Sequence, residues 1–273
     1  MLLSNLDTVR NSFVTGLYTA GLTLGAAFAG AITTPISDAL GSWPTALAVW
    51  AAPAALGIPA WYLSTRDSPS RTGDAGVAER QARPPWRNRW AMVLMVFSGG
   101  SSTMFFFVLT WLAPRYVALG WTANRAGVLL SVFVITQLGG NLVVSAFGDR
   151  LDDRRPLFAL MGIVVVTGAI GVAFTPRALA YLWALCLGVG AGGLFTLALT
   201  LPVTYAGDAT ATDGLTSMML GGGYLIAALG PFVAGLLRDI TDSYVAAFAG
   251  LAMLGAVLLA MSMRFTLDRA LVT

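Results

Sequence analysis

Asp38-Ala39-Leu40-Gly41-Ser42-Trp43 and Asp239-Ile240-Thr241-Asp242-Ser243-Tyr244 lie 201 positions apart in the chain. At the same offset Asp7 meets Asp208, Thr15 meets Thr216, Gly21 meets Gly222, and Ala26-Ala27 meets Ala227-Ala228. Small-residue matches carry little weight in a chain so rich in Ala and Gly. Aligned Asp residues carry more, because Asp and Glu together number only 13 in 273 residues. A repeat of this length is the signature of a membrane protein assembled from two similar helical bundles. On this register the second copy is complete and the first holds only its last two helices, so further helices are expected to be encoded ahead of Met1.

Composition points the same way. Apolar residues make up 57% of the chain, charged residues 11%, and the mean hydropathy is +0.76. Runs longer than about 18 apolar residues indicate bilayer spans. Strands of an outer-membrane barrel would alternate polar and apolar residues, and Leu157 to Phe174 does not alternate. The expected class is an all-α polytopic membrane protein whose surroundings are the lipid bilayer. A pI near 9.3 would suggest nucleic acid in a soluble protein. Here the basic residues read as topology signals in loops, and no nucleic-acid partner is expected. The chain has no His and a single Cys, Cys186, inside an apolar segment, which leaves no His- or Cys-based metal site and no internal disulfide. No cofactor is expected. All 16 basic residues are Arg, which suggests GC-rich bacterial coding.

Eight spans are expected, at roughly 12–36, 43–63, 90–113, 124–147, 157–174, 179–203, 215–237 and 243–263. The one long polar stretch, Ser64 to Arg89, holds six Arg together with Asp67, Asp74, Glu79 and Pro at 69, 84 and 85. It reads as a linker. The organisation is therefore a remnant of a first bundle over 1–63, a linker over 64–89, and a six-helix second bundle over 90–273. Trp86 and Trp90 suit the headgroup level at one end of the following helix, with Trp111 and Tyr116 at the other.

Arginine placement sets the orientation. With the linker in the cytoplasm, Arg10, the six linker Arg, Arg150, Arg154, Arg155, Arg264 and Arg269 fall inside, twelve in all. Only Arg115, Arg125, Arg177 and Arg238 fall outside, a bias of twelve to four. The positive-inside rule then places both termini in the cytoplasm, and the expected location is the cell (inner) membrane.

Gly148-Asp149-Arg150-Leu151-Asp152-Asp153-Arg154-Arg155-Pro156 forms a short loop between two spans, with Pro156 suited to starting the next helix. Charges so tightly interleaved can latch helix ends in one state and release them in another, or serve only as a positive-inside anchor. At these residues the chain resembles the major facilitator superfamily, whose cytoplasmic loops carry Gly-x-x-x-Asp-Arg-x-Gly-Arg-Arg. Asp149, Arg150 and Arg154 match that pattern, while Ser145 replaces the first Gly and Asp152 and Asp153 replace the later Gly and Arg. The resemblance implies a gating role for Asp149, Arg150 and Arg154. The stretch from Gly221 through Tyr224 and Gly230-Pro231 to Asp239 is similar to the penultimate helix of the cyanate and nitroimidazole permease branch. Thr15 to Thr19 and Trp111-Leu112-Ala113-Pro114 resemble the same branch. Close helix packing accounts for most of these glycines by themselves. A drug-exporter reading would want Gly-x-x-x-Gly-Pro in the first visible span. Gly21 and Gly25 are present, but Ala26 stands where Pro belongs.

Polar residues inside the spans supply the candidate solute site. Ser98, Ser101, Ser102 and Thr103 lie in one span, Gln137 and Asn141 share a face of the next, and Thr196 and Thr200 share a face two spans later. An amide in hydrocarbon must find a partner or water, so Gln137 and Asn141 are expected to face a cavity or another helix. Ser102 and Thr196 complete the expected substrate-binding set, on helices that the resemblance implies line the same cavity. Interhelical glue is the competing reading of all four, and the hydroxyls can also bond their own backbone. No charged residue sits mid-span, so proton coupling through a buried carboxylate has no candidate. A small anion could still be held by hydroxyls, amides or broken-helix N-termini.

The expected function is alternating-access transport of a small polar or anionic solute. The alternatives are a truncated membrane fragment that transports nothing and a drug-type exporter. An intramembrane enzyme would need a His, a mid-span carboxylate or a Cys-based dyad, and none is present. Two tests follow directly. The reading frame ahead of Met1 should encode roughly 110 to 115 further residues, about four spans with loops, and nearby in-frame stop codons would count against this. With Cys186 replaced, a cysteine introduced at Gly73 should be shielded from an impermeant thiol reagent in intact cells while one at Ser243 reacts. Labelling of position 73 from outside would reverse the orientation.

Overall fold

The chain makes the same kind of turn at two places 201 positions apart. Residues 35–40 are helical, Gly41 follows with φ +65°, and Ser42 is extended at the N-terminus of α1, Trp43–Val49. At the second site Asp242 has φ +47°, and Ser243 is extended at the N-terminus of another helix that begins with Tyr244. Two positions thus share a left-handed residue, an extended serine and an aromatic first helical residue, at the offset read from the aligned Asp, Ser and aromatic pairs. The computed structural model describes residues 29, 32–33, 35–66, 84–148, 151 and 153–265. Most of the expected linker, Asp7, Thr15, Asp149, Arg150 and Asp152 lie outside these residues. The chain divides into two units, Met1–Ala78 and Glu79–Thr273.

In the first unit α1 is followed by α2, Ala51–Arg66. The expected uninterrupted span over 43–63 is therefore broken at Trp50. Pro53 explains the break, because it has no N–H to offer the Val49 carbonyl. Trp50 N–H turns back to Leu47 O at 3.1 Å, and its indole N–H donates to Thr33 Oγ1 at 2.9 Å.

The second unit holds six helices: α3, Arg89–Ala118; α4, Ala123–Phe147; α5, Arg155–Phe174; α6, Ala180–Tyr205; α7, Ala209–Thr241; and α8, Tyr244–Ser262. All six are long and apolar enough to cross a membrane, and no other helix among the described residues is. Their starts are chemically marked. Asn88 Oδ1 accepts from Trp90 N and Ala91 N, Thr122 Oγ1 from Arg125 N, Asp208 Oδ1 from Ala211 N, and Ser243 Oγ from Val245 N. Pro156 opens α5. Of the boundaries that differ from those read off hydropathy, two differ most. The Asp208 cap starts α7 at Ala209, six residues ahead of the expected 215. Helix α3 runs through Pro114 to Ala118, because Leu112 and Tyr116 are buried and the Tyr116 hydroxyl donates to Pro176 O at 2.9 Å.

Helix α3 touches α4, α6, α7 and α8; α4 lies along α6, and α5 lies against α6 and α8. Small residues set these distances. A Cβ at Gly188 of α6 would collide with Thr136 Oγ1 and Phe133 O of α4, and one at Gly192 with Gln137 O. A Cβ at Gly140 of α4 would in turn strike Val189 O. Backbones this close gain dispersion contacts that two apolar helices in lipid cannot gain from the hydrophobic effect. On the other side of α3, Gly99 and Gly223 face each other in the same manner.

Aromatic clusters close both ends. At one end Phe265 sits among Phe97, Phe158, Trp90 and Tyr205, with ring centroids 4.9 to 6.5 Å away. At the other, Trp121 contacts Tyr116 and Tyr181, and Tyr244 lies beneath the guanidinium groups of Arg115 and Arg238. Such belts suit the two headgroup levels of a bilayer.

Gly188→Ala should lower the stability of the folded chain in detergent by roughly 1–3 kcal/mol, the usual cost of overpacking. Gly139→Ala, where an added Cβ meets nothing within 4 Å, should leave it unchanged. Thermal unfolding of the two variants measures the difference, and equal midpoints would remove the seam argument.

Candidate functional site

The α4–α6 seam carries polar chemistry in the middle of two apolar spans. Four residues separate Gln137 from Asn141, so both project from one face of α4. Gly192 opposite leaves the space they occupy: a Cβ there would lie 2.8 Å from Asn141 Oδ1 and 2.9 Å from Gln137 Cγ. One turn along α6, Thr196 Oγ1 donates to Asn141 Oδ1 at 3.0 Å. Three of the four residues expected to bind solute thus meet across one seam.

Their bonding differs in a way that bears on function. Asn141 Oδ1 already accepts from Thr196. The Gln137 amide makes no hydrogen bond and is half-buried. An interhelical hydrogen bond in a membrane protein contributes only about 0.6 kcal/mol on average. The stability gained from Asn141 and Thr196 is therefore small beside the cost of placing amides in apolar helices. A half-buried amide with free donors and acceptor is suited to a polar group arriving from outside the protein.

Ser102 lies on a different helix, α3, where it is 5% exposed and makes no hydrogen bond to the other three. Its neighbours separate into two kinds. Ser101 Oγ donates to Phe97 O at 3.0 Å and Thr103 Oγ1 to Gly99 O at 2.8 Å, so these hydroxyls are engaged by their own helix. Ser98, one turn before Ser102, is 3% exposed and also makes no internal hydrogen bond. Sequence reasoning named Ser98 without selecting it; its i, i+4 spacing from Ser102 was the available signal. On α6, Thr200 Oγ1 donates to Leu197 O and Thr204 Oγ1 to Thr200 O, which leaves Thr196 as the member of that row reaching a neighbouring helix.

Of the three expected gating residues, Asp149 and Arg150 lie outside the described residues. Arg154 is half-buried at the start of α5, and its Nε donates to Gly148 O at 3.1 Å, which ties the two ends of the loop together. Beside it Arg155 Nε donates to Phe265 O at 3.1 Å.

A family model described as the Major Facilitator Superfamily matches residues 6–212. The cyanate transport protein CynX of Escherichia coli (strain K12) is 30% identical over 257 residues, covering 94% of this chain and 66% of that protein. The 2-nitroimidazole transporter of the same organism is 26% identical, over 90% of this chain and 62% of its own length. The uncharacterized transporter YycB of Bacillus subtilis (strain 168) is 28% identical, over 84% and 56%. The chain thus spans between 56% and 66% of the length of these relatives.

Proposed function

The chain belongs to the major facilitator superfamily, and from that premise we propose that the whole protein is a secondary transporter moving a small polar or anionic solute across the cell membrane. The observation that carries this reading is the α4–α6 seam, where Asn141 is bonded to Thr196 and the Gln137 amide beside it is free. An amide offers both donors and an acceptor without a net charge. It can therefore hold a compact polar solute or a weakly hydrated anion and let it leave again. A mid-span Arg would bind an anion more tightly and release it more slowly. The names of two relatives, a cyanate transport protein and a 2-nitroimidazole transporter, describe small solutes rich in hydrogen-bond acceptors. The hydroxyls of Ser98 and Ser102 are suited to donating to such acceptors.

In this proposal 1–63 ends a first bundle, 64–89 is a cytoplasmic linker, and 90–273 is the second bundle, with both termini in the cytoplasm. Transport proceeds by alternating access, the bundles rocking about the solute. Asp149, Arg150 and Arg154 act at the cytoplasmic loop, latching helix ends in one state and freeing them in the other. The Arg154 bond to Gly148 O is one contact such a latch could make and break.

In the whole protein, Gln137→Leu and Asn141→Leu should each reduce uptake of the transported solute by roughly ten-fold or more, the consequence of leaving a solute's polar group unpaired. Both variants should remain folded in the membrane. Ser131→Ala should transport normally, since Ser131 is exposed and its hydroxyl donates to Gly127 O. Unchanged uptake in both leucine variants would reduce the seam to a packing contact.

A further inference from the structure

A cavity of about 170 Å³ opens at the end of the second unit where α5 begins and α6 finishes. It is far larger than the roughly 10–15 Å³ that a single water requires. Its walls are of two kinds. Arg154, Arg155, Asp153, Thr200 and Thr204 form a polar side, and Leu151, Phe158, Leu201 and Phe265 an apolar one.

Arg155 dominates the polar side. Its Nε is fixed by Phe265 O at 3.1 Å, with Asp153 Oδ1 at a looser 3.7 Å. The same Oδ1 accepts from the Arg155 backbone N–H at 3.0 Å, and the Asp153 side chain is 60% exposed, so water screens its hold on the guanidinium. The two terminal nitrogens of Arg155 make no hydrogen bond. The guanidinium is therefore aimed by one nitrogen and open at the other two, the fork that matches the paired oxygens of a phosphate. Arg155 is also the first residue of α5, where the helix dipole favours an anion. The nearby Trp90, Tyr205 and Phe265 rings belong to an aromatic belt, which sets the depth of the cavity at a headgroup level.

We propose that this cavity binds the phosphodiester headgroup of an anionic bilayer lipid, with Arg155 gripping the phosphate and the Leu151, Phe158 and Leu201 wall receiving the glycerol and upper acyl chain. The shared chemistry is a phosphate oxyanion, which a soluble phosphate also offers. The apolar wall favours the lipid, because a soluble ion has no use for it. The site needs no transport cycle and is separate from the Gln137–Asn141–Thr196 seam.

The test uses the full chain in nanodiscs of equal phosphatidylglycerol and phosphatidylcholine, followed by native mass spectrometry of the lipids it retains. Wild type should retain phosphatidylglycerol in roughly five-fold excess, the worth of one arginine near an anionic surface. The excess should vanish in Arg155→Gln and persist in Arg177→Gln at the opposite end. Thr204→Phe fills the cavity and leaves every charge in place; it should also abolish the excess, and it decides the matter if Arg155→Gln does not fold. Millimolar inorganic phosphate should leave the retained lipid in place. Equal retention of both lipids by wild type, or an excess that survives both variants, overturns the proposal. Displacement by inorganic phosphate overturns the lipid source and leaves a soluble anion as the ligand.

Discussion

The arrangement of the second unit depends on how closely two backbones can approach where α6 presents Gly188 and Gly192 to α4. In lipid, helices gain nothing by hiding apolar surface from one another, so attraction must come from contact at short range. Removing two side chains from α6 and one, at Gly140, from α4 lets the helices meet backbone to backbone. That approach also brings Thr196 within 3.0 Å of Asn141. With side chains at these positions the seam would widen and the amides would lose register with the hydroxyl opposite. Close packing and the Thr196–Asn141 bond are thus both permitted by one set of glycines, and a change at any of them is felt by both.

Apart from Thr196 and Asn141, which bond across the seam, the candidate polar residues of the spans fall into two groups once their hydrogen bonds are traced. Ser101, Thr103, Thr200 and Thr204 return their hydroxyl protons to their own helix, a use that leaves the surroundings apolar. Gln137, Ser98 and Ser102 return none. The second group therefore holds binding capacity that the first has already consumed.

Much of this was legible in the chain. The six helices of the second unit follow from hydropathy. The aligned Asp, Ser and aromatic residues marked where the two turns lie without giving their torsions, and the shared face of Gln137 and Asn141 follows from a four-residue step. What escaped was short-range chemistry that hydropathy averages away. Asp208 caps α7 well ahead of its apolar core, and Pro53 withholds one N–H and divides the span over 43–63 at Trp50. The choice among Ser98, Ser101, Ser102 and Thr103 depends on rotamers, which no spacing rule reports. The Gly188-x-x-x-Gly192 spacing was present in the letters. Which helix it faced was a tertiary fact, fixed only when α4 and α6 came together.

The turns at 41 and 242 bear on how internal repeats are sought in a sequence. One copy has Gly in the left-handed region and the other has Asp, one of the few residues besides Gly that enters it at modest cost. An alignment scores this pair as a mismatch, yet the sign of φ agrees, and so does the extended serine that follows. Backbone handedness thus agrees at a position where the residues differ, although left-handed residues end many helices, Gly120 among them. In chains whose composition makes most letter matches cheap, a comparison of torsion signs at helix ends would recover symmetry that similarity scores discard.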